Sequence, residues 1–409
     1  MKHNTHCRIC GSSELPKFLD LGSQPLANSF LRTEGEFETE ELYPLQVCFC
    51  SKCNLVQLSE VVSKEKMFSD YIYFSSGMPK LSDHFKTYAK KVIDRFLKPN
   101  DFVVEIASND GTFLKQFQKL GCKVLGIDPA INIAKIASKQ GVPTQANFFT
   151  QELAEKLLSD NGPASLVYAR NVIPHVKEIH SVIAGIETLL SKDAIGIIEF
   201  HNAGLLLKEL HYDYIYHEHL FYYTLTSIEA LLIKHGLYIF DVSLSPISGG
   251  SWVVYFSKDN RDKSDVFYEA KNSEIEILYN QKTSWIEFSK NAKSHASQLT
   301  DIVLNQVKNH GKIVAYGASA RSSTLLNYCG ICSEHISAVI DKNPLKQGLM
   351  TAGSNIPIVS FEDGLRLIKE SNIILLLAWN FKDEIIEELR LSGYKGKFII
   401  PLPGEPYIL

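Results

Sequence analysis

Twice along this chain, strand-length apolar runs alternate with helix-patterned segments, and this rhythm restricts the fold more than any other feature. From Asp101 the order is FVVEIAS, GTFLKQFQKLG, KVLGIDPA, INIAKIASKQG, TQANFF, TQELAEKLLSDNG, ASLVYARNV, a helix to about Leu190, and AIGIIEF. Regular βα alternation builds a parallel sheet covered by helices on both faces. LTSIEALLIKHG then predicts a helix, and LYIFDVSLSP with GGSWVVYFS are joined closely enough to pair as antiparallel edge strands. Residues 262–310 are polar, with apolar positions at helical spacing, and predict one or two connecting helices. Alternation restarts at KIVAYGASA and runs to KFIIPL, which predicts a second, smaller doubly wound α/β domain.

Ahead of both lies a segment of another kind. Cys7 and Cys10 form one CxxC pair and Cys50 and Cys53 another, with turn-rich text such as DLGSQPLANSF between them. Two intervening residues let both thiolates of a knuckle reach one tetrahedral ion, and zinc stabilises a module too small to hold together by its core. Four cysteine ligands leave no open position, so the ion is expected to be structural; Cys48 stands close enough to compete. The chain thus divides into a zinc-binding module (1–70), a first α/β domain (71–260), a helical connector (261–310) and a C-terminal Rossmann-like domain (311–409).

Composition excludes several classes. A formal charge of -4 gives no global basic field for nucleic acid. Apolar runs such as IILLLAW are strand-length, far short of the ~20 residues of a membrane helix. MKHNTHCRIC has no apolar signal-peptide core, so reducing cytoplasm is the default expectation and disulfides are a poor reading of the eight cysteines. Oligomeric state is left open, a monomer included.

The first strand of the 71–260 domain ends in EIASNDGT. Glu105, Ala107, Asn109, Asp110 and Gly111 form a βα turn where backbone can approach a ligand at a helix N-terminus. Asp128, followed by Pro129, ends the second strand, where a carboxylate can accept hydrogen bonds from both ribose hydroxyls of an adenosine. The three-glycine phosphate fingerprint is absent, and Asp110 puts negative charge where a pyrophosphate would sit. Those features favour S-adenosylmethionine, with its cationic sulfonium and amino groups, over a dinucleotide. Asn147 and Phe148 follow the third strand as candidates to read and flank adenine, with core packing an equal alternative for Phe148. Asn171, after the fourth, would face the methionine end, and His175 could point into a substrate cleft.

The densest polar aromatic cluster is YDYIYHEHLFYYT, residues 212–224. The HEH spacing does not reproduce the i, i+4 pair of a helical zinc protease, so acid–base chemistry is the better reading. A histidine can take a proton at neutral pH and a tyrosine hydroxyl can donate to a developing enolate oxygen; which of His175, His217 and His219 is the base stays open. The tyrosines of DYIYFSS, Tyr71 and Tyr73, could cover the cleft or pack between domains. In the C-terminal domain GASAR places Arg321 at the start of a helix, a weak signal for phosphate or nucleotide.

CRICG, CFCSKCNLVQL, DLGSQPLANSF, DYIYFSSGMP, EIASNDGTFL, LGIDPAINIA, ARNVIPHV, IYHEHLFYYT, GGSWVVYF, YGASARSSTLLN and VIDKNPLKQG together resemble the zinc-containing sugar C-methyltransferases that act on nucleotide-linked deoxysugars. The resemblance spans nearly the whole chain and implies a class I methyltransferase fold for the central domain. It implies zinc on Cys7, Cys10, Cys50 and Cys53, and S-adenosylmethionine at Glu105 through Gly111, Asp128 and Asn147. It also implies a catalytic group of Tyr216, Glu218 and His219, with His175 and either Tyr71 or Tyr73 nearby. Asn202 and Arg321 are substrate-binding candidates, Arg321 because the family's C-terminal domain assists sugar-nucleotide binding. The implied reaction removes the C-3 proton of a 4-keto sugar and methylates the enolate carbon. An O-methyltransferase, a non-catalytic zinc-dependent nucleotide-binding scaffold and a dehydrogenase are the competing readings.

Overall fold

The computed structural model describes residues 2–63, 79–245, 250–369 and 371–409. Its centre is a seven-stranded sheet of β1 (Phe102–Ile106), β2 (Lys123–Ile127), β3 (Thr144–Gln145), β4 (Ala164–Arg170), β5 (Leu190–His201), β6 (Tyr238–Ser245) and β7 (Ser251–Ser257). The order is β6-β7-β5-β4-β1-β2-β3. Strands β1 to β5 pair in parallel, and β7 runs antiparallel to both β5 and β6, as the close connection requires.

Alternation along the strands explains the two layers that cover this sheet. Val104, Ile106, Val167, Ala169, Ile198 and Phe200 face the helices Gln151–Asn161, Ile179–Leu189 and Leu225–Ile233. Val103, Leu166, Tyr168, Ile195 and Ile197 face Pro79–Phe96 and Leu114–Lys119. A period of two in the strands against stripes in the helices buries both faces. Strand order reverses between β1 and β4, and ligands of open α/β sheets bind in the crevice beyond the strand ends at such a point.

The N-terminal residues form a four-stranded antiparallel sheet in the order Phe221–Tyr222, Val56–Leu58, Tyr43–Phe49, Lys17–Gln24. Its edge strand therefore comes from far along the chain. Helix Lys282–His310 buries Trp285, Phe288, Ala292, His295, Ala296, Leu299 and Val303, a stripe at helical spacing that packs the connector into the core. The C-terminal sheet has six strands, parallel except for the edge strand Tyr407–Ile408, which the alternation did not foretell. One apolar cluster runs from Cys7 through Ile198 to Leu402, so the parts share a core.

Segment 212–219 forms neither strand nor helix. Leu210 adopts φ 60° at the end of helix Ala203–Glu209, a short 3-10 turn covers Tyr212–Tyr214, and the chain then turns through 216–219. His217 and His219 consequently diverge: His217 packs edge-on against Tyr43 and lies 3.3 Å from the carbonyl of Pro44, away from His219.

Candidate active site and zinc centre

The four cysteine sulfurs all lie within 4.8 Å of one another. Cys7 Sγ is 3.5 Å from Cys53 Sγ, and Cys10 Sγ 3.5 Å from Cys50 Sγ. A tetrahedral ion with Zn–S bonds of ~2.3 Å sets its sulfurs ~3.8 Å apart, so the donors fit zinc with little adjustment. Cys48 stands apart, in strand register with Gln57, and burial pushes its thiol up to about 11.

The crevice beyond β1, β2 and β4 carries an unusual backbone. Ala107, Asn109 and Gly111 take φ of 54°, 51° and 75°, and Asn171 after β4 takes 49°. Left-handed conformations in non-glycine residues are disfavoured and cluster where backbone must face a ligand. Asp128 holds the turn shut: its Oδ2 accepts from the Asn109 amide at 2.9 Å, and its Oδ1 from Ala130 at 2.9 Å. Those donors oppose the upward shift that burial gives its carboxyl. Asp110 accepts from the Thr112 hydroxyl at 2.7 Å and its backbone at 3.2 Å, which fixes the turn from inside.

Glu105, 1% exposed, keeps Oε2 unpartnered, and burial raises its carboxyl to about 8 against the pull of Arg170. Asn171 Oδ1 and Glu199 Oε1 are likewise buried without a hydrogen bond, while Tyr168 donates to Glu199 Oε2 at 2.9 Å. Orphaned acceptors at strand ends suit a cationic ligand, whose charge would also favour the ionised form of Glu105. The crevice residues thus fit S-adenosylmethionine. Phe148 is 48% exposed, with Phe149 as the buried neighbour, and Asn147 and Pro129 are also at the surface.

At the ends of β4 and β5 a set of rings converges. His175, in the turn Ile173–His175, has its Nδ1 2.8 Å from the Glu218 carbonyl, and its ring centroid lies 4.8 Å from that of His219. His201 closes β5 and packs on Tyr214 at 4.0 Å. His219 Nδ1 faces the Tyr214 carbonyl at 2.9 Å; a carbonyl only accepts, so Nδ1 carries the proton. Nε2 is therefore the lone-pair nitrogen, and the Tyr216 hydroxyl donates to it at 2.9 Å. Burial, reinforced by His175, holds His219 well below the ordinary histidine range, so it is a neutral base at pH 7. Burial also raises Tyr216 and lowers His175.

Glu218 is 9% exposed and sits at about 7, because burial outweighs its one side-chain hydrogen bond. That bond comes from Asn28, whose Nδ2 donates to Oε1 at 2.6 Å. Asn202 is the N-cap of helix Ala203–Glu209, its Oδ1 accepting from Gly204 at 2.8 Å. Arg321 does not face open solvent: Nε and Nη2 each reach Asp213 at 3.1 Å, and the guanidinium lies 4.5 Å over Trp379, which donates to the same carboxylate at 2.9 Å. Tyr71 and Tyr73 lie outside the described residues.

Asn28, Asp213, Tyr214 and Glu199 were not singled out from sequence. Asn28 belongs to DLGSQPLANSF and the next two to YDYIYHEHLFYYT, so the motifs were visible but the partners, 190 and 108 residues away, were not.

Comparison with known proteins divides the chain differently from the sheets, since the C-terminal match takes in β7 of the central sheet and the connector helices. Residues 7–68 match a zinc binding domain family, 81–242 a methyltransferase domain family, and 246–403 the C-methyltransferase C-terminal domain family. The chain is 34% identical over 412 residues to the C-methyltransferase NovU of Streptomyces niveus, covering 98% of this chain and 96% of that protein. Among solved structures, magnesium protoporphyrin IX methyltransferase from Synechocystis PCC 6803 with bound SAM aligns at 12% identity over 46% of this chain and 85% of its own, TM-score 0.34. An S-adenosylmethionine-dependent methyltransferase from Clostridium acetobutylicum aligns at 14% identity over 47% and 94%, TM-score 0.34. The methyltransferase domain together with its crevice defines the class. Within it, the chain belongs to the zinc-containing, S-adenosylmethionine-dependent C-methyltransferases. No helix among the described residues is long and apolar enough to cross a membrane.

Proposed function

We propose that the methyl acceptor is C-3 of a nucleotide-linked 4-keto deoxysugar, deprotonated in the cleft framed by His175, Tyr216, Glu218 and His219. The observation that carries this reading is the Tyr216–His219 pair: a neutral, buried imidazole with Nδ1 pinned and Nε2 paired with a hydroxyl. A carbon acid next to a ketone needs such a base together with a donor for the developing oxyanion.

When bound, S-adenosylmethionine supplies an electrophilic methyl carbon on a cationic sulfur. Entry of the keto sugar turns the Tyr216 hydroxyl from His219 to O-4, which frees the Nε2 lone pair. His219 Nε2 takes the C-3 proton, the C–H electron pair becomes the C3=C4 bond, and the carbonyl pair moves to O-4, where Tyr216 donates. S-adenosylmethionine held in the crevice around Asp128 would supply its methyl group to C-3 as the enolate re-forms its carbonyl, the S–C electron pair leaving with sulfur. His219 retains the proton until product leaves. Glu218 accepts from a sugar hydroxyl; it does not orient the base, since the Tyr214 carbonyl does so. Holding both reactants in one cleft replaces a bimolecular encounter with a fixed approach.

Mass spectrometry of protein incubated with methyl-labelled S-adenosylmethionine and a panel of nucleotide-linked 4-keto deoxysugars tests the reading, with His219→Asn alongside. The expected product carries the label on C-3 and is absent with the variant. A methyl ether, or transfer that persists in His219→Asn, would refute it.

A further inference from the structure

We propose that Asn28, a residue of the zinc-binding domain, is a positioning residue for the methyl-transfer site: its amide fixes the Glu218 carboxylate so that Oε2 is presented to substrate as a hydrogen-bond acceptor. The proposal rests on reading the 216–219 cleft as the sugar site.

The geometry begins with the arm that carries Asn28. After strand Lys17–Gln24 the chain leaves the zinc-binding sheet and crosses to the C-terminal domain. There Leu31 and Met350 exchange backbone hydrogen bonds of 2.9 and 2.8 Å. Lys346 lies over the ring of Phe30 at 5.3 Å, and both Glu40 carboxylate oxygens accept from the Gly353 amide, at 3.1 and 2.9 Å. Pro25 packs so closely on Gly353 that a Cβ there would come within 2.9 Å of its ring. Anchored on both sides of Asn28, the arm has little freedom to move its amide.

From that arm Nδ2 donates to Glu218 Oε1 at 2.6 Å, a short charge-assisted bond across 190 residues of sequence. Among the described residues it is the one hydrogen bond to the Glu218 side chain, and Oε2 makes none with any of them. The carboxylate is 9% exposed, so without a donor it would favour the neutral form, which both loses an acceptor and is free to rotate. Titratable groups around it are Tyr216 and His219 on its own segment and His175 on the neighbouring turn; the arm contributes the neutral Asn28. Burial raises Glu218 and the Asn28 bond lowers it, in agreement with the geometry.

The test reads the carboxyl group itself. Full-length zinc-loaded protein labelled with 13C at glutamate carboxyls is titrated by NMR, the Glu218 resonance being assigned by its loss in Glu218→Gln. In Asn28→Ala the midpoint is expected to rise by about one to two units, the equivalent of one charge-assisted bond. In the nearly isosteric Asn28→Asp the two carboxyls share a proton and titrate in two separated steps. Zinc content and S-adenosylmethionine affinity identify any variant that has simply misfolded. Where turnover is measurable, the acid limb of kcat follows the NMR midpoint while KM for cofactor stays put. An unchanged Glu218 titration in both variants would overturn the proposal. A shifted titration in a protein that methylates none of the sugars would uphold the Asn28 assignment and refute the substrate reading instead.

Discussion

Arg321→Met separates two roles for the C-terminal domain. Asp213 is 1% exposed, and its carboxylate accepts three hydrogen bonds, two from Arg321 at 3.1 Å and one from Trp379 at 2.9 Å. Methionine keeps most of the side-chain volume but removes the cation and two of the three donors, leaving a buried charge with Trp379 alone. Breaking such a pair costs ~3 to 5 kcal/mol, and loss of the guanidinium over Trp379 adds ~0.5 to 1 kcal/mol. The Arg321 side chain is only 13% exposed, so solvent screening reduces this little. Urea unfolding followed by tryptophan fluorescence should therefore show a loss of about 4 kcal/mol, with Asp213→Asn/Arg321→Met costing clearly less than the sum of its parts. Because Tyr214, which aims His219, follows Asp213 directly, kcat should fall with little change in sugar KM. A variant within ~1 kcal/mol of the parent, or strictly additive singles, would refute the brace; unchanged stability with a steeply raised KM would mark Arg321 as a substrate ligand.

Three further outcomes follow from the site. Stripping zinc with a chelator, or Cys50→Ser, should accelerate amide hydrogen exchange at Phe221 and Tyr222, whose partners are Gln57 and Val56 beside the knuckles, and abolish transfer; unchanged exchange there would show the module to be independent. Burial lifts Glu105 to about 8, so between its ordinary ~4.3 and 8 the folded protein holds a proton that the unfolded chain has lost; stability of the cofactor-free protein should fall across that window as pH rises, by up to ~1.4 kcal/mol per unit. Glu105→Gln should flatten the slope of Tm against pH and weaken S-adenosylmethionine binding by calorimetry, and parallel slopes would contradict the assignment. His219→Asn should lower kcat ~100- to 10,000-fold while zinc content and cofactor affinity persist, and a loss of both bound species instead would mean the residue is structural.

Both α/β sheets, the connector helices and the zinc knuckles were legible because each rests on local pattern: strand-length apolar runs between helix-patterned segments, helical spacing at Trp285, Phe288, Ala292, Leu299 and Val303, and CxxC pairs. The turn 107–111 was legible through its small residues, although the left-handed φ of Ala107 was not, since alanine seldom adopts it and asparagine does so more readily. Long-range pairing was out of reach. Nothing local to Asn28 says that it will meet Glu218, and nothing in GASAR says that Arg321 will close on Asp213. Segment 212–219 was ambiguous because its aromatic, acidic and histidine residues carry neither a two-residue nor a 3.6-residue period, and the chain there takes a 3-10 turn followed by further turns. The edge strand Tyr407–Ile408 is too short to carry a periodicity at all, whereas Thr144–Gln145, equally short, was read within TQANFF from its place in the alternation.

Strand Phe221–Tyr222 completes the zinc-binding sheet from a point 164 residues beyond Leu58. On a ribosome adding ~5 to 20 residues per second, Val56–Leu58 waits roughly 8 to 33 s as an open edge before its partner emerges. An unpaired edge invites pairing with another chain. The order of synthesis thus runs against the order of assembly: the metal can close the knuckles early, but the module becomes whole only once the segment bearing His219 has been made and has docked beside it. Overproduction faster than this docking should direct the chain to aggregates even with zinc in excess.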